Sequence, residues 1–282
     1  MYTTLISTAQ LAAHFDDPGF VIVDVRHDLA QPDTWGETQY RSGHIPGARF
    51  AHLDRDLSAP KTGANGRHPL PSPEAAATTY GRLGIGPDTQ VVAYDQQQGM
   101  YAARLWWMLR RLGHDAVAVL DGGFEKWRRE GRPVTTDAPR VEPTAFPIRR
   151  VASTIDAAAL LASLPERSLV VVDARSPERY RGDAEPLDPV AGRIPGSINR
   201  PASQNLTAEF TFRPPAELRA DFERLLGGAS ATRIVHSCGS GVTACHNLLA
   251  MEIAGFGETK LYPGSWSEWC ADPSRPVARG SA

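Results

Sequence analysis

The chain contains one sequence pattern twice. Four segments of the first half return in the same order in the second half: VIVDVR as VVVDAR, GHIPGA as GRIPGS, QVVAYD as RIVHSC, and LDGGFEKW as LYPGSWSEW. The first pair starts at Val21 and Val170 and the second at Gly43 and Gly192, so both pairs have an offset of 149 positions. Four ordered matches indicate tandem duplication of one domain.

Each copy alternates short β-branched runs with helical segments. In the first copy, Ser7 and Gln10 have the spacing of a helix capping box, and a strand is predicted over residues 21–25. Alternating strands and helices predict an α/β fold, in which each copy is a mostly parallel sheet flanked by helices.

A proline-rich stretch separates the two copies. Residues 135–150 contain three prolines and few regularly spaced apolar residues, which is typical of a connector. We therefore predict two domains, residues 1–138 and residues 154–282, joined by a linker over residues 139–153.

Composition narrows the class of protein. With 41% hydrophobic and 22% charged residues, the chain is typical of a globular protein, and its formal charge of -2 gives no basic face for nucleic acid. Apolar runs such as LVVVDA are far shorter than the roughly 20 residues that span a bilayer. Three cysteines, an odd number, argue against a disulfide framework. We expect a cytoplasmic protein with neither nucleic-acid nor membrane partners.

One cysteine, Cys238, lies between a predicted strand that ends near residues 234–235 and a predicted helix over residues 243–254. Gly239 and Gly241 permit backbone angles closed to other residues, so the loop can turn its amide N–H groups toward the sulfur. These donors and the positive end of the helix would stabilise a thiolate and an anion bound against it. Cys238 is therefore predicted to be a nucleophile, and a buried structural thiol is the alternative.

The first copy has no equivalent thiol. Asp95 aligns with Cys238, so only the second domain can perform cysteine chemistry. For the other two cysteines, Cys245 and Cys270, we favour a packing role over that of a resolving thiol. One active site per chain is expected.

The combination of a duplicated DxR and GHIPGA pattern with CGSGVTA and GSWSEW in the second half resembles the tandem-domain rhodanese sulfurtransferases over nearly the whole chain. The CGSGVT loop is similar to the 3-mercaptopyruvate branch, whereas the thiosulfate branch typically carries basic residues after the cysteine. The resemblance implies that Cys238 accepts sulfane sulfur as a persulfide from a small-molecule donor. It would pass the sulfur to cyanide, a thiol or a thioredoxin-like protein, with no metal and no organic cofactor.

The resemblance also implies roles for particular residues. Ser240, His68 and Asp54 align with a proposed relay that moves a proton to the leaving enolate. Arg179 aligns with a substrate-binding arginine that could hold the donor carboxylate in a bidentate fork. The remaining substrate-binding positions are in the loop: Gly239, Gly241, Val242 and Thr243.

Each of these residues also has a simpler interpretation. His68 could be an ordinary exposed histidine, and Asp54 could be solvated or cap a turn. Ser240 could be required only for its size and its amide. Arg179 and Arg181 could form surface ion pairs with Glu178 or Asp183.

The sequence departs from the mercaptopyruvate branch at one point. That branch commonly carries an arginine directly after its Glu-Pro, where this chain has Leu187 followed by Asp188. The donor carboxylate would then be held by Arg179 alone or with another residue such as Arg181. Thiosulfate therefore stays open as an alternative donor.

Two other functions compete with sulfur transfer. A cysteine phosphatase needs an arginine six residues after the cysteine, and that position is Ala244. A non-catalytic sulfur-sensing or protein-binding module is the alternative from a different class, since duplicated α/β domains often serve recognition. The intact CGSGVTA loop argues against such a module.

Overall fold

The computed structural model describes residues 1–96 and 98–280, which divide into two compact units. Unit 1 comprises Met1–Ala59, Pro71–Ala152 and Ala208–Thr211. Unit 2 comprises Pro60–Leu70, Ser153–Thr207 and the chain from Phe212 onward. In the part of the chain that the structure describes, no helix is long and apolar enough to cross a membrane.

Unit 1 contains a five-stranded parallel sheet with the order β1-β5-β4-β2-β3. Its strands are β1 Leu5–Ile6, β2 Phe20–Asp24, β3 Arg49–Phe50, β4 Gln90–Tyr94 and β5 Val117–Leu120. Its helices are α1 Thr8–Ala12, α2 Trp35–Ser42, α3 Leu53–Asp56, α4 Pro73–Arg82, α5 Ala102–Arg111 and α6 Gly123–Arg129. The predicted capping box is confirmed, because Ser7 and Gln10 exchange side-chain to backbone hydrogen bonds at the start of α1.

Unit 2 contains a four-stranded parallel sheet with the order β7-β6-β8-β9. Its strands are β6 Val170–Asp173, β7 Ile198–Asn199, β8 Ile234–Ser237 and β9 Lys260–Leu261. Its α-helices are α7 Ala157–Ser163, α8 Pro177–Arg181, α9 Pro215–Leu226, α10 Ala244–Ile253 and α11 Ser265–Trp269. The predicted fold class is confirmed: both units are parallel sheets flanked by helices.

The repeated motifs occupy equivalent structural positions. In each unit the DxR arginine forms a buried ion pair with its aspartate and also donates to the glycine carbonyl of the GxIPG turn. In unit 1, Arg26 pairs with Asp24 and lies 2.7 Å from Gly43 O. In unit 2, Arg175 pairs with Asp173 and lies 2.8 Å from Gly192 O. A buried guanidinium needs such partners, because leaving either charge unpaired would be costly. The motif therefore fixes a strand end to a turn in both units.

Candidate active site

Cys238 follows the last residue of β8 directly, at the carboxyl end of an inner strand of the unit 2 sheet. Ligand sites of open α/β sheets are usually found at this end. Helix α10 begins at Ala244, so the loop over residues 238–243 joins the strand to the helix as predicted. The Cys238 side chain is buried, with the residue only 2% exposed.

The first turn of α11 holds the Cys238 loop in place. The Cys238 amide donates to Ser265 Oγ at 3.0 Å, so this amide is not directed at the sulfur. In return, the Trp266 amide donates to Cys238 O at 3.0 Å and the Ser267 amide to Gly239 O at 2.9 Å. The GSWSEW motif therefore acts as a second support for the loop, and Ser265 is a contributor that the sequence prediction missed.

The two loop glycines serve different purposes. Gly241 has a φ of 76°, and a Cβ at this position would lie 2.1 Å from Pro263 O, so glycine is required there as predicted. Gly239 does not adopt the left-handed conformation, and the prediction of a special backbone angle was wrong for it. A Cβ on Gly239 would instead lie 2.8 Å from Arg67 Nη2 and 3.3 Å from Arg179 Nη2. Gly239 leaves space for two guanidinium groups.

Arg67 is a site residue that the sequence prediction missed. It belongs to the Pro60–Leu70 segment of unit 2, and its amide donates to Ser267 Oγ at 3.0 Å. Its position directly before His68 in GRHPLP is the signal that could have identified it.

Two buried carboxylates hold the guanidinium groups. Arg179 donates through Nη2 to Glu185 Oε1 at 2.7 Å and through Nε to Glu185 Oε2 at 3.2 Å. Asp188 connects the two arginines, because one oxygen accepts from Arg67 Nη1 and the other lies 3.4 Å from Arg179 Nη2. The partners of Arg179 are therefore Glu185 and Asp188 rather than Glu178. Arg181 forms an ion pair with the exposed Asp183 at 2.7 Å, which is the surface ion pair predicted as the alternative to substrate binding.

These ion pairs affect the ionisation of the groups around the loop. Burial alone would raise the pKa of Glu185, but Arg179 and, more weakly, Arg175 hold that pKa below its ordinary value. Burial alone would lower the pKa of Arg175, yet the charges of Asp173, Glu185 and Cys238 raise it. Glu185 and Arg175 are therefore both charged near neutral pH.

Ser240 and His68 form a direct hydrogen bond. His68 Nδ1 lies 2.7 Å from Ser240 Oγ, and both residues are buried, which excludes an exposed histidine. Asp54 lies in α3 of unit 1, where its amide donates to His52 Nδ1 at 3.1 Å. The structure thus brings together two of the three residues proposed for the relay within unit 2.

The remaining loop residues and cysteines support the packing. Val242 is buried, and Thr243 immediately precedes α10. Cys245 Sγ donates to Gly241 O at 3.3 Å, which ties the helix back to the loop. Cys270 is buried, and burial raises the pKa of its thiol, which disfavours the thiolate form.

A model of the rhodanese-like domain matches residues 7–130 and 156–272. The probable 3-mercaptopyruvate sulfurtransferase of Pseudomonas aeruginosa is 46% identical over 279 residues, which is 98% of each chain. The thiosulfate sulfurtransferase of Bos taurus is 36% identical over 299 residues, covering 99% of this chain and 97% of that protein.

The solved structures agree with these relatives. The crystal structure of SseA from Escherichia coli, described as a 3-mercaptopyruvate sulfotransferase with the rhodanese fold, superposes with a TM-score of 0.81 and 32% identity, covering 94% of this chain and 99% of that one. The two matched domains span most of the chain, and the relatives match it from end to end. The chain therefore belongs to the rhodanese family, as two tandem domains, and is an enzyme of the sulfurtransferase type.

Proposed function

We propose that the protein transfers sulfane sulfur from 3-mercaptopyruvate, through a persulfide on Cys238, to a thiol, cyanide or a protein acceptor. The observation that carries this proposal is the position of Arg67 and Arg179. Both guanidinium groups lie against Gly239, the residue that follows Cys238. A donor that presents a carboxylate to these groups would have its sulfur close to the nucleophile.

The reaction balances without a cofactor. The Cys238 thiolate attacks the donor sulfur, the carbon–sulfur bond breaks, and its electron pair leaves with the enolate of pyruvate. The thiol proton of the donor reaches the enolate carbon, which gives pyruvate and a Cys238 persulfide anion. A thiolate acceptor then attacks the outer sulfur and releases the Cys238 thiolate.

The hydrogen bond between His68 and Ser240 supports a proton path in this reaction. A histidine can take up and release a proton near neutral pH, and the Ser240 hydroxyl can pass that proton to a bound donor. The 2.7 Å separation and the burial of both residues suit this role. Asp54 is proposed as the third member of the relay on the family resemblance alone.

The charge around the loop favours mercaptopyruvate over thiosulfate. The positive charges of Arg67 and Arg179 are matched by Glu185 and Asp188, both with side chains no more than 3% exposed. Because the charges of these four side chains cancel, a dianion such as thiosulfate gains little electrostatic stabilisation from them. A monoanionic carboxylate can still be bound through well-oriented hydrogen bonds from a guanidinium group. Thiosulfate is the second candidate donor, which the name of the bovine relative supports. The three free cysteines support a reducing, cytoplasmic location.

The donor is tested by steady-state kinetics. We expect kcat/KM for pyruvate release from mercaptopyruvate, with a thiol acceptor, to exceed kcat/KM for thiosulfate by at least about tenfold. Mass spectrometry after donor addition without acceptor should show a chain one sulfur atom heavier, and Cys238→Ser should not gain this mass. A higher kcat/KM for thiosulfate would refute the donor assignment, and a sulfur adduct on Cys238→Ser would refute the persulfide site.

A further inference from the structure

We infer that Arg67 is the main carboxylate-binding residue of the donor site, and that Arg179 supports it. This inference rests on the proposed function and names the residue that would recognise the substrate. It reverses the sequence prediction, in which Arg179 holds the donor carboxylate in a bidentate fork. The reason lies in which nitrogen atoms of each guanidinium group are already occupied.

The fork of Arg179 is already occupied. A guanidinium group binds a carboxylate side-on through Nε and Nη2, and in Arg179 both atoms donate to Glu185. Arg179 Nη2 also lies 3.4 Å from Asp188. Only Nη1 of this arginine remains for a ligand, and it lies 3.4 Å from the position of a Cβ on Gly239.

The Nε–Nη2 fork of Arg67 has no protein partner among the described residues. Asp188 accepts from Nη1 only, which leaves the edge formed by Nε and Nη2. Nε is buried and has no hydrogen-bond partner among the described residues, which is costly for a charged donor. Nη2 lies 2.8 Å from the position of a Cβ on Gly239, beside the Cys238 loop. A ligand carboxylate at this edge would satisfy both atoms.

Position 187 does not supply a second arginine. The residue after Glu-Pro is Leu187, an apolar side chain that is 39% exposed. Asp188 instead holds Arg67 through Nη1, while Nη2 of the same guanidinium group lies beside Gly239. Asp188 is therefore a positioning residue, and Arg67 is the residue that contacts the donor.

The test compares two alkylating reagents that differ by one carboxylate. Iodoacetate and iodoacetamide are both thiol-alkylating reagents that we expect to modify Cys238, but only iodoacetate carries a carboxylate that Arg67 could bind. We expect Arg67→Gln to lower the rate ratio of iodoacetate to iodoacetamide by about 10- to 100-fold. Iodoacetamide serves as an internal control for folding and for the reactivity of the thiol.

Three further variants complete the comparison. Arg67→Lys keeps the charge without the fork and should recover only part of the ratio. Arg181→Gln removes an equal charge from α8, but at an arginine paired with exposed Asp183, and should leave the ratio unchanged. Arg179→Gln should lower the ratio less than Arg67→Gln does.

The kinetic counterpart uses mercaptopyruvate. Arg67→Gln should raise KM by about 10- to 100-fold and change kcat by less than about threefold, as expected for lost binding of the ground state. A KM and a reagent ratio equal to those of Arg181→Gln would overturn the role of Arg67. If the unmodified protein does not turn over mercaptopyruvate, the proposed function fails. The reagent ratio still tests carboxylate binding by Arg67 in that case.

Discussion

The two units build equivalent strand-to-helix loops, and the first residue of each loop has opposite chemistry. In unit 1, Asp95 follows β4 and its carboxylate accepts hydrogen bonds from three later amides: Gly99 N at 3.0 Å, Tyr101 N at 2.9 Å and Ala102 N at 3.3 Å. In unit 2 the equivalent residue is Cys238. The unit 1 loop thus binds a carboxylate that belongs to the chain itself, whereas the unit 2 loop has at this position the thiol that we propose as the nucleophile.

The backbones of the two loops also differ. In unit 2 the left-handed residue of this loop is Gly241, with a φ of 76°. In unit 1, Gly99 is left-handed with a φ of 73°, whereas its counterpart in unit 2, Val242, is not. A carboxylate at the first position is therefore accompanied by a different turn. The two loops therefore differ both in their first residue and in the position of the left-handed residue.

The largest expected effect comes from moving the thiol. Cys238→Ser should lower kcat for mercaptopyruvate by at least about 10³-fold, because the nucleophile is lost. Adding Asp95→Cys to this variant should not restore turnover, since unit 1 does not have the turn of the CGSGVT loop. Pyruvate release measures both variants. Recovery of turnover in the double variant would show that the two loops are functionally equivalent and would contradict the difference described above.

A smaller but still large effect is expected from Gly241→Ala. The added Cβ would meet Pro263 O at 2.1 Å, and the φ of 76° is strained for alanine. We expect a loss of about 1–3 kcal/mol in the free energy of unfolding, with a lower kcat. Gly196→Ala in unit 2 is the matched control and should lose less stability, because Gly196 has a similar φ of 75° but a Cβ there would have no atom within 4 Å. Equal losses would contradict a cost from the close approach of Gly241 to Pro263.

Substitution of Asp95 in unit 1 should lower the free energy of unfolding without changing the reactivity of Cys238. Asp95→Asn leaves one carbonyl oxygen for three amides, so we expect unfolding to become easier by about 1–3 kcal/mol. Denaturant unfolding measures this loss. The rate of Cys238 alkylation by iodoacetamide should stay the same, and a changed rate would show that Asp95 acts beyond unit 1.

The smallest effect concerns the acid stability of unit 2. The pKa of Glu185 is lowered in the folded chain, so its ion pairs stabilise the fold above the unfolded pKa, near 4.5, and this stability is lost as the pH falls further. The free energy of unfolding should therefore depend less on pH below about 4.5 in Glu185→Gln than in the unmodified chain. Identical pH dependence in the two proteins would show that the ion pairs of Glu185 do not contribute to the acid stability of the fold.

Features that depend on neighbouring residues were predictable from the sequence. The duplication predicted two parallel α/β units, and the spacing of Ser7 and Gln10 predicted the start of α1. The position of Cys238 between strand and helix also followed from local pattern. The start of α1 and the position of Cys238 are encoded within about ten residues of sequence, where periodicity and capping rules apply, and the duplication is visible because whole motifs recur in the same order.

Features that depend on distant segments were not predictable. Arg67 comes to the site from a loop outside the repeated motifs, so neither periodicity nor duplication points to it. Gly239 was misread because a glycine can signal either a backbone angle or a missing side chain, and sequence does not separate the two. The partners of Arg179 were predicted wrongly because α8 ends at Arg181 and the following segment folds back toward the helix. This places Glu185 and Asp188 within hydrogen-bond distance of Arg179.

The Pro60–Leu70 segment has a consequence for how this chain can be divided into fragments. Eleven residues that lie within the first sequence repeat fold with the second, and they include both Arg67 and His68. A gene fragment that encodes only the second repeat would contain Cys238 but neither Arg67 nor His68. A cut between the two repeats therefore does not coincide with the boundary between the two folded units.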